Sequence, residues 1–291
     1  MEKKIQYLVF VLLLTGCQKI VEIDLPKQEQ KPVVNCLFTD SEPFKVHLSL
    51  TKAADTENYL SIDDATVSVF ADDKLLAVLP AMGAGVYRDS MFYPESNRFY
   101  SLQIHAPGYD KIRVEDYVPR YGLQVIDNDF RKNAGTDDSG YNYSELQLKI
   151  QDIDSSSNYY GIAVLGKQDN GKYSPLQITS NDTKITSEMM VEDYPDVLVF
   201  RDELFRNSET SVSVRFSYDM ATRFRLFTFS KAAFNYLKTL TIHNYTKDYD
   251  FWEVYEPISV YSNIENGYGI FAGYSSRDYE IKPDTTVISA P

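Results

Sequence analysis

Short segments in which apolar and polar residues alternate restrict the fold of this chain more than any other feature. Phe44–Leu50 and Ala65–Phe70 alternate residue by residue, which is the period of a strand with one buried face. Further strand-like segments follow at intervals of about ten residues, and turns rich in Gly, Pro and Asp separate them. These segments are Val33–Phe38, Leu75–Leu79, Phe99–His105 and Ile112–Val118. We therefore predict an immunoglobulin-like or transthyretin-like β-sandwich over residues 32–120.

A second β-rich domain is predicted over residues 121–281. Ser230 is a suitable N-cap for one short helix, which continues to Leu240 with apolar residues on one face. Ile185–Asn207 fits a short helix or a crossing loop, and Pro257–Ile264 is typical of a strand followed by a turn. The strand-like segments are Tyr143–Ile150, Tyr159–Leu165, Val212–Phe216, Arg223–Phe229 and Ile270–Tyr274. The predicted class is therefore all-β, a sandwich followed by a β-rich domain with one short helix, and residues 282–291 form a loose tail.

The N-terminus has the order of residues found in a bacterial lipoprotein signal peptide. Lys3 and Lys4 precede an apolar segment, and Leu14-Thr15-Gly16-Cys17 follows it. The apolar segment is about ten residues long, roughly half of what a membrane-spanning helix needs. We predict that residues 1–16 are removed, that Cys17 is lipidated with palmitate among its acyl chains, and that residues 17–31 form a tether. The alternative is an ordinary secretory signal that is cut after a small residue.

The net charge and the number of cysteines exclude some classes of function. The formal net charge of −13 repels phosphate backbones, which argues against nucleic-acid binding. Cys36 is the only cysteine besides Cys17, so lipidation of Cys17 leaves Cys36 without a disulfide partner. Cys36 lies in an apolar, strand-like segment, and we expect it to be a small buried residue rather than a catalytic thiol.

No motif for catalysis or for metal binding is evident. The three histidines, His47, His105 and His243, are not spaced as metal ligands, and neither a GxSxG elbow nor a phosphate-binding loop occurs. We therefore predict no enzyme activity, no cofactor and no metal, with a hydrolase built on scattered carboxylates as the enzyme alternative. Two acidic segments, Asp152–Asn158 and Asp127–Asp138, resemble calcium loops in part, although solvated turns explain them as well.

Residues near the C-terminus are the candidate contacts with a partner or ligand. Tyr249, Trp252 and Tyr255 mix with charged residues, and exposed rings often stack on sugars or dock on proteins. Core packing is the alternative for each ring. Asn263 and Tyr268 belong to a glycine-containing segment that forms either a contact surface or a structural turn before the last strand.

Both ends of the chain resemble one family. The N-terminal part is the lipidation signal followed by Val21–Pro26 and Pro32–Asn35, and the C-terminal part is Glu256–Ile258 with Ser262–Phe271. Together they resemble the domain of unknown function 4249 (DUF4249) family. The resemblance implies an outer-membrane lipoprotein of Gram-negative bacteria, encoded beside TonB-dependent receptors, with an accessory role in nutrient uptake. The family implies no catalytic residues.

These observations predict a lipid-anchored accessory protein of the outer membrane. It binds a substrate, docks on a TonB-dependent receptor, or does both, and its ligand is a small molecule, a peptide or a glycan. The alternative is a cell-surface adhesin or glycan-binding module. The periplasmic side and the cell-surface side of the outer membrane both remain open.

Overall fold

The computed structural model describes residues 29–52, 60–189, 195–217, 221–247 and 258–282. From Gln30 onward the described residues belong to one compact unit. They form sixteen strands and two helices, which confirms the predicted all-β class. The strands are β1 (Pro32–Phe38), β2 (Lys45–Leu50), β3 (Thr66–Ala71), β4 (Lys74–Leu79), β5 (Ala81–Gly83), β6 (Val86–Arg88), β7 (Arg98–His105), β8 (Ile112–Val118), β9 (Leu123–Thr136), β10 (Asn142–Asp152), β11 (Tyr159–Lys167), β12 (Tyr173–Leu176), β13 (Leu198–Arg201), β14 (Glu209–Phe216), β15 (Ala221–Phe229) and β16 (Tyr268–Glu280).

The two helices differ greatly in length. Helix α1 (Thr183–Thr186) is a single turn, and its last two residues fall in the segment Ile185–Asn207, where the sequence allowed a short helix or a loop. Helix α2 (Lys231–Lys247) is the predicted helix and continues past Leu240. The predicted N-cap is confirmed, because the Ala233 amide donates a hydrogen bond to Ser230 Oγ at 3.2 Å.

Three sheets organise the described strands. The largest has nine strands in the order β12-β11-β15-β16-β1-β2-β6-β5, with β13 also paired to β11. A four-stranded sheet has the order β4-β3-β7-β8, and a three-stranded sheet has the order β14-β10-β9. The large sheet therefore contains strands from both predicted domains.

Strand β16 connects the two ends of the chain. Its first six residues pair in parallel with β1, from Val33 opposite Tyr268 to Phe38 opposite Gly273. The rest of the strand pairs antiparallel with β15. A parallel neighbour requires a long connection, and here nearly the whole protein is that connection.

Two hydrophobic cores lie on opposite faces of β16. Phe271 is fully buried in a core formed mainly by residues 34–118, with Val34 and Phe38. Its neighbours Ile270 and Ala272 are buried in a core formed mainly by residues 121–234. Because side chains alternate between the faces of a strand, one strand supplies both cores. The predicted boundary between residues 120 and 121 stays a prediction, and the cores on either side of it share β16.

Candidate functional site

A cleft of about 410 Å³ lies on the face of the large sheet, beside helix α2. The outward-facing residues of β1 and β2 form its floor, and Tyr236 of α2 forms one wall. The loop between β1 and β2 closes one end through Glu42 and Pro43. Clefts of this size hold small molecules or single side chains of a partner.

Strand register explains why these side chains meet. Asn35 of β1 stands opposite His47 of β2, and on its other side it stands opposite Ile270 of β16. Residues two apart on a strand share a face, so Leu37 and Lys45 lie on the same side as Asn35 and His47. Opposite-facing residues of β1, including Cys36, are buried in the core.

Apart from Thr39, whose hydroxyl donates to Asp40 Oδ1, the polar side chains that line the cleft have no bonding partner among the described residues. The side chains of Asn35, Glu42, Lys45, His47 and Tyr236 make no hydrogen bond or ion pair within the described residues. Together they offer an amide, a carboxylate, an ammonium, an imidazole and a phenol. Leu37 lies among them with 41% of its surface exposed. An apolar surface surrounded by unused polar groups is typical of a ligand site.

Burial changes the titration of two tyrosines in and beside the cleft. Partial burial raises the pKa of Tyr236, so its hydroxyl stays protonated and can donate a hydrogen bond. Burial also raises the pKa of Tyr274, and the charge of nearby Glu42 raises it further. The lining of the cleft carries one acidic side chain, Glu42 of the loop between β1 and β2, and the basic side chain of Lys45, the first residue of β2.

Asn263, one of the predicted contact residues, performs a structural task. Its Nδ2 donates to the carbonyl of Phe271 at 2.8 Å, and its Oδ1 accepts from the Phe271 amide at 3.0 Å. The carboxamide thus satisfies both backbone groups of one β16 residue, as a neighbouring strand would. This geometry fits the structural turn that the sequence left open.

Tyr268, the other candidate within the described residues, lies at the start of β16. Half of its surface is exposed, and Lys31 Nζ is 6.0 Å from the centre of its ring. It is not among the residues that line the cleft. Cys17, Tyr249, Trp252 and Tyr255 lie outside the described residues, so their predicted roles stay predictions.

The first acidic segment is built into the fold. Asp152 is fully buried, its Oδ1 accepts from Tyr160 Oη at 2.8 Å, and its Oδ2 accepts from the Asn207 amide. Asp202, also buried, accepts from Arg206 and from the Asn158 amide. These carboxylates orient loops through hydrogen bonds rather than projecting into solvent. The described residues contain no group of three or more His, Cys, Asp or Glu residues placed to hold a metal ion.

The surroundings of Cys36, His105 and His243 do not indicate a reactive site. Cys36 is 1% exposed, and burial raises the pKa of its thiol, which keeps it protonated. Its predicted burial is confirmed. His243 Nδ1 lies 2.8 Å from the Ile258 carbonyl, and His105 is exposed at the end of β7. Among the described helices, none is both long enough and apolar enough to cross a membrane.

Comparison with protein families decides the relationship of this chain. A model of a domain of unknown function, DUF4249, matches residues 18–280. The chain belongs to the DUF4249 family. This confirms the resemblance seen at the two ends of the sequence, and the match begins at the residue that follows Cys17. No curated protein compared with the chain matches it.

Two solved structures share low similarity with the chain. A DUF4785 family protein from Legionella pneumophila is 11% identical over 68% of this chain and 51% of its own, with a TM-score of 0.24. The chain thus spans about half of that protein. A Bacteroides uniformis protein with a suggested carbohydrate-binding role is 10% identical over 68% of this chain and 87% of its own, with a TM-score of 0.19. Neither similarity is high enough to support an argument.

The cleft residues were not singled out in the sequence. Asn35, Lys45 and His47 have the alternating polar pattern of any exposed strand face, and Tyr236 has the pattern of a helix that packs on a sheet. Only the pairing of β1 with β2 and β16, and the position of α2, brings them together.

Proposed function

We propose that the protein is a lipid-anchored accessory protein of the outer membrane that binds a ligand in the cleft and delivers it to a TonB-dependent receptor. The observation that supports this proposal most is the set of five polar side chains around the cleft with no partner in the described residues. Non-covalent capture needs groups of this kind, and it needs neither a nucleophile nor a metal.

The sequence supports the membrane anchor. Leu14-Thr15-Gly16-Cys17 is a lipidation signal, and Cys36, the other cysteine, is buried. Acyl chains on Cys17 restrict the protein to the membrane surface, which raises its effective concentration near a receptor in the same membrane. A modest affinity for the receptor is then sufficient for transfer.

Co-purification from the native host tests this function. A C-terminally tagged protein, extracted gently from outer membranes with detergent, is expected to carry a large β-barrel receptor with it. A matched control is the Cys17→Ser variant, which should be recovered without the receptor because it no longer shares the membrane. Recovery of the lipidated protein alone would count against receptor docking.

A second candidate function is a cell-surface adhesin or glycan-binding module. The presence of the Tyr236 ring and the Asn35 carboxamide in one cleft favours it, because sugars combine apolar C–H faces with hydroxyl groups. On a glycan array, Tyr236→Ala should lose binding, whereas Tyr141→Ala, at a ring that is 70% exposed outside the cleft, should retain it. An array with no bound glycan would remove this candidate.

A further inference from the structure

One pair of charged residues that stand opposite each other on neighbouring strands carries charges of the same sign. Lys45 of β2 stands directly opposite Arg88 of β6, and both are exposed. In the described strands, the other directly opposed pairs of Asp, Glu, Lys and Arg combine opposite charges. Those pairs are Glu145 with Arg131, Glu145 with Arg215, Lys149 with Asp127, Arg223 with Glu280 and Arg225 with Asp278.

Like charges in direct opposition destabilise a sheet. Neither cation of this pair has a counter-ion within ion-pair distance among the described residues. The acidic residues nearest to them in sequence have other contacts: Asp89 accepts a hydrogen bond from the Met91 amide, and Glu42 lies close enough to Tyr274 to raise the pKa of that tyrosine. The fold therefore maintains two adjacent positive charges that nothing described in the protein neutralises.

The position of this pair connects it with the cleft. His47 and Val86 form the next opposed pair on the same face, and Lys45 and His47 both line the cleft. A ligand in the cleft can therefore extend across β2 and bring a negative group between Lys45 and Arg88. Asn35 and Tyr236, which also line the cleft, offer further hydrogen-bond donors.

We propose that the cleft binds a small soluble molecule that carries a carboxylate or phosphate group, with that group held between Lys45 and Arg88. This inference rests on the proposed ligand-binding function and names the chemical class of the ligand. An anionic group converts the repulsion between the two cations into two charge-assisted hydrogen bonds. The formal net charge of the whole chain, −13, disfavours anions, so selectivity for them must come from this local pair.

Thermal unfolding of the full-length protein in detergent tests the proposal. The probes are inorganic phosphate, citrate and galacturonate, each compared with sodium chloride at equal ionic strength, and galactose serves as the uncharged counterpart of galacturonate. At least one anion is expected to raise the melting temperature in a saturable way, and galactose should not. If none of the three anions does so, the proposal is wrong.

Charge-reversal variants locate the effect. Lys45→Glu and Arg88→Glu should each weaken anion binding by about tenfold or more. Without ligand, each should melt up to about 2 °C higher than the unmodified protein, because the opposed pair becomes attractive. Lys111→Glu changes the net charge equally at an exposed site outside the cleft, and it should bind anions normally. Equal weakening in all three variants would show a general charge effect and overturn the assignment.

Two further outcomes separate this inference from the proposed function. Anion binding that depends on Lys45 and Arg88, without a co-purified receptor, would support the site and contradict receptor docking. A co-purified receptor without any anion response would support receptor docking and contradict the anion site. A response confined to vesicles that contain phosphatidylglycerol, with none to soluble anions, would also overturn the proposal.

Discussion

At the scale of single residues, close backbone contact determines which residues the first half of β16 can contain. Gly269 has a φ of +104°, and a Cβ atom there would lie 2.0 Å from the Val34 carbonyl oxygen. Gly273 is equally tight, because a Cβ would lie 2.0 Å from the Tyr117 carbonyl oxygen. The Asn263 side chain forms hydrogen bonds with the backbone of Phe271, which lies on the same strand as these glycines. These contacts hold β16 against β1 and β8, and two of the residues that make them, Asn263 and Gly269, belong to the C-terminal segment that resembles the family.

Substitution of Gly269 tests this explanation. Gly269→Ala should lower the free energy of unfolding by at least about 3 kcal/mol, because the methyl group overlaps the β1 backbone and the φ is unfavourable. Gly140→Ala is the matched control, since its φ is +85° but nothing lies within 4 Å of the added Cβ. That variant should lose only about 1 kcal/mol. Urea unfolding measures both values, and equal losses would contradict a steric role for Gly269.

At the scale of elements, one carboxylate connects three elements: strand β8, the start of helix α2 and strand β16. Asp116 of β8 accepts a hydrogen bond from Ser230 Oγ, the N-cap of α2, and another from the Gly273 amide of β16. Burial raises the pKa of Asp116 to about 6, although both hydrogen bonds favour the ionised form. The protein therefore keeps a carboxylate in a place where ionisation has a cost.

The raised pKa predicts a defined pH dependence. The folded-state pKa of about 6 exceeds the unfolded value of 3.8, so the folded state binds this proton more tightly. The stabilisation is complete below pH 3.8 and is lost as the pH rises through about 6. Relative to Asp116→Asn, the unmodified protein should lose up to about 3 kcal/mol between pH 4 and pH 7. Urea unfolding at both pH values measures this difference, and a difference that does not change with pH would contradict the raised pKa.

The segment before β16 shows how element prediction failed. The sequence predicts a strand followed by a turn over Pro257–Ile264, but the described part of this range, 258–264, contains no strand. Side chains satisfy its backbone instead: Thr239 Oγ1 accepts from the Tyr261 amide, and Ser262 Oγ accepts from the Ile264 amide. Apolar and β-branched residues indicate strand propensity, but they do not show that a partner strand is within reach.

At the scale of the whole molecule, the shared strand makes the two cores depend on each other. Removing β16 would take Phe271 from one core and Ile270 and Ala272 from the other. A domain that folds alone has its own complete core, whereas here each core contains a residue from the same terminal strand. We therefore expect both cores to unfold together.

Calorimetry of the intact protein tests this coupling. A single transition is expected, with a calorimetric enthalpy equal to the van't Hoff enthalpy. Phe271→Ala in one core and Leu148→Ala in the other should each lower that single melting temperature, since each removes about 3 kcal/mol of buried contact. Two separate transitions, each shifted by only one of the substitutions, would show two independent domains instead.

The sequence alone determined the local features of this protein. Alternation located β1, β2, β3, β7, β8 and β10 to within a few residues, and Ser230 marked the start of α2, because side-chain periodicity and capping act over a few neighbours. It also identified the family and supplied the predicted lipidation signal on which the proposed location rests. The strands β5, β9 and β12 were missed, since short or polar strands lack a clear apolar pattern. Strand β13 was missed although it is apolar, because four residues are too few to distinguish a strand from a buried part of a helix or loop.

Only the tertiary structure decided which of these elements meet. The pairing of β1 with β16 joins residues more than 200 positions apart, and it creates the shared strand, the need for Gly269 and the floor of the cleft. Asn35, Lys45, His47 and Tyr236 come together for the same reason, as does the unusual opposition of Lys45 and Arg88. The pattern of a strand indicates which of its faces is buried. The choice of the neighbouring strand depends on packing over the whole chain, so a local pattern does not predict that choice.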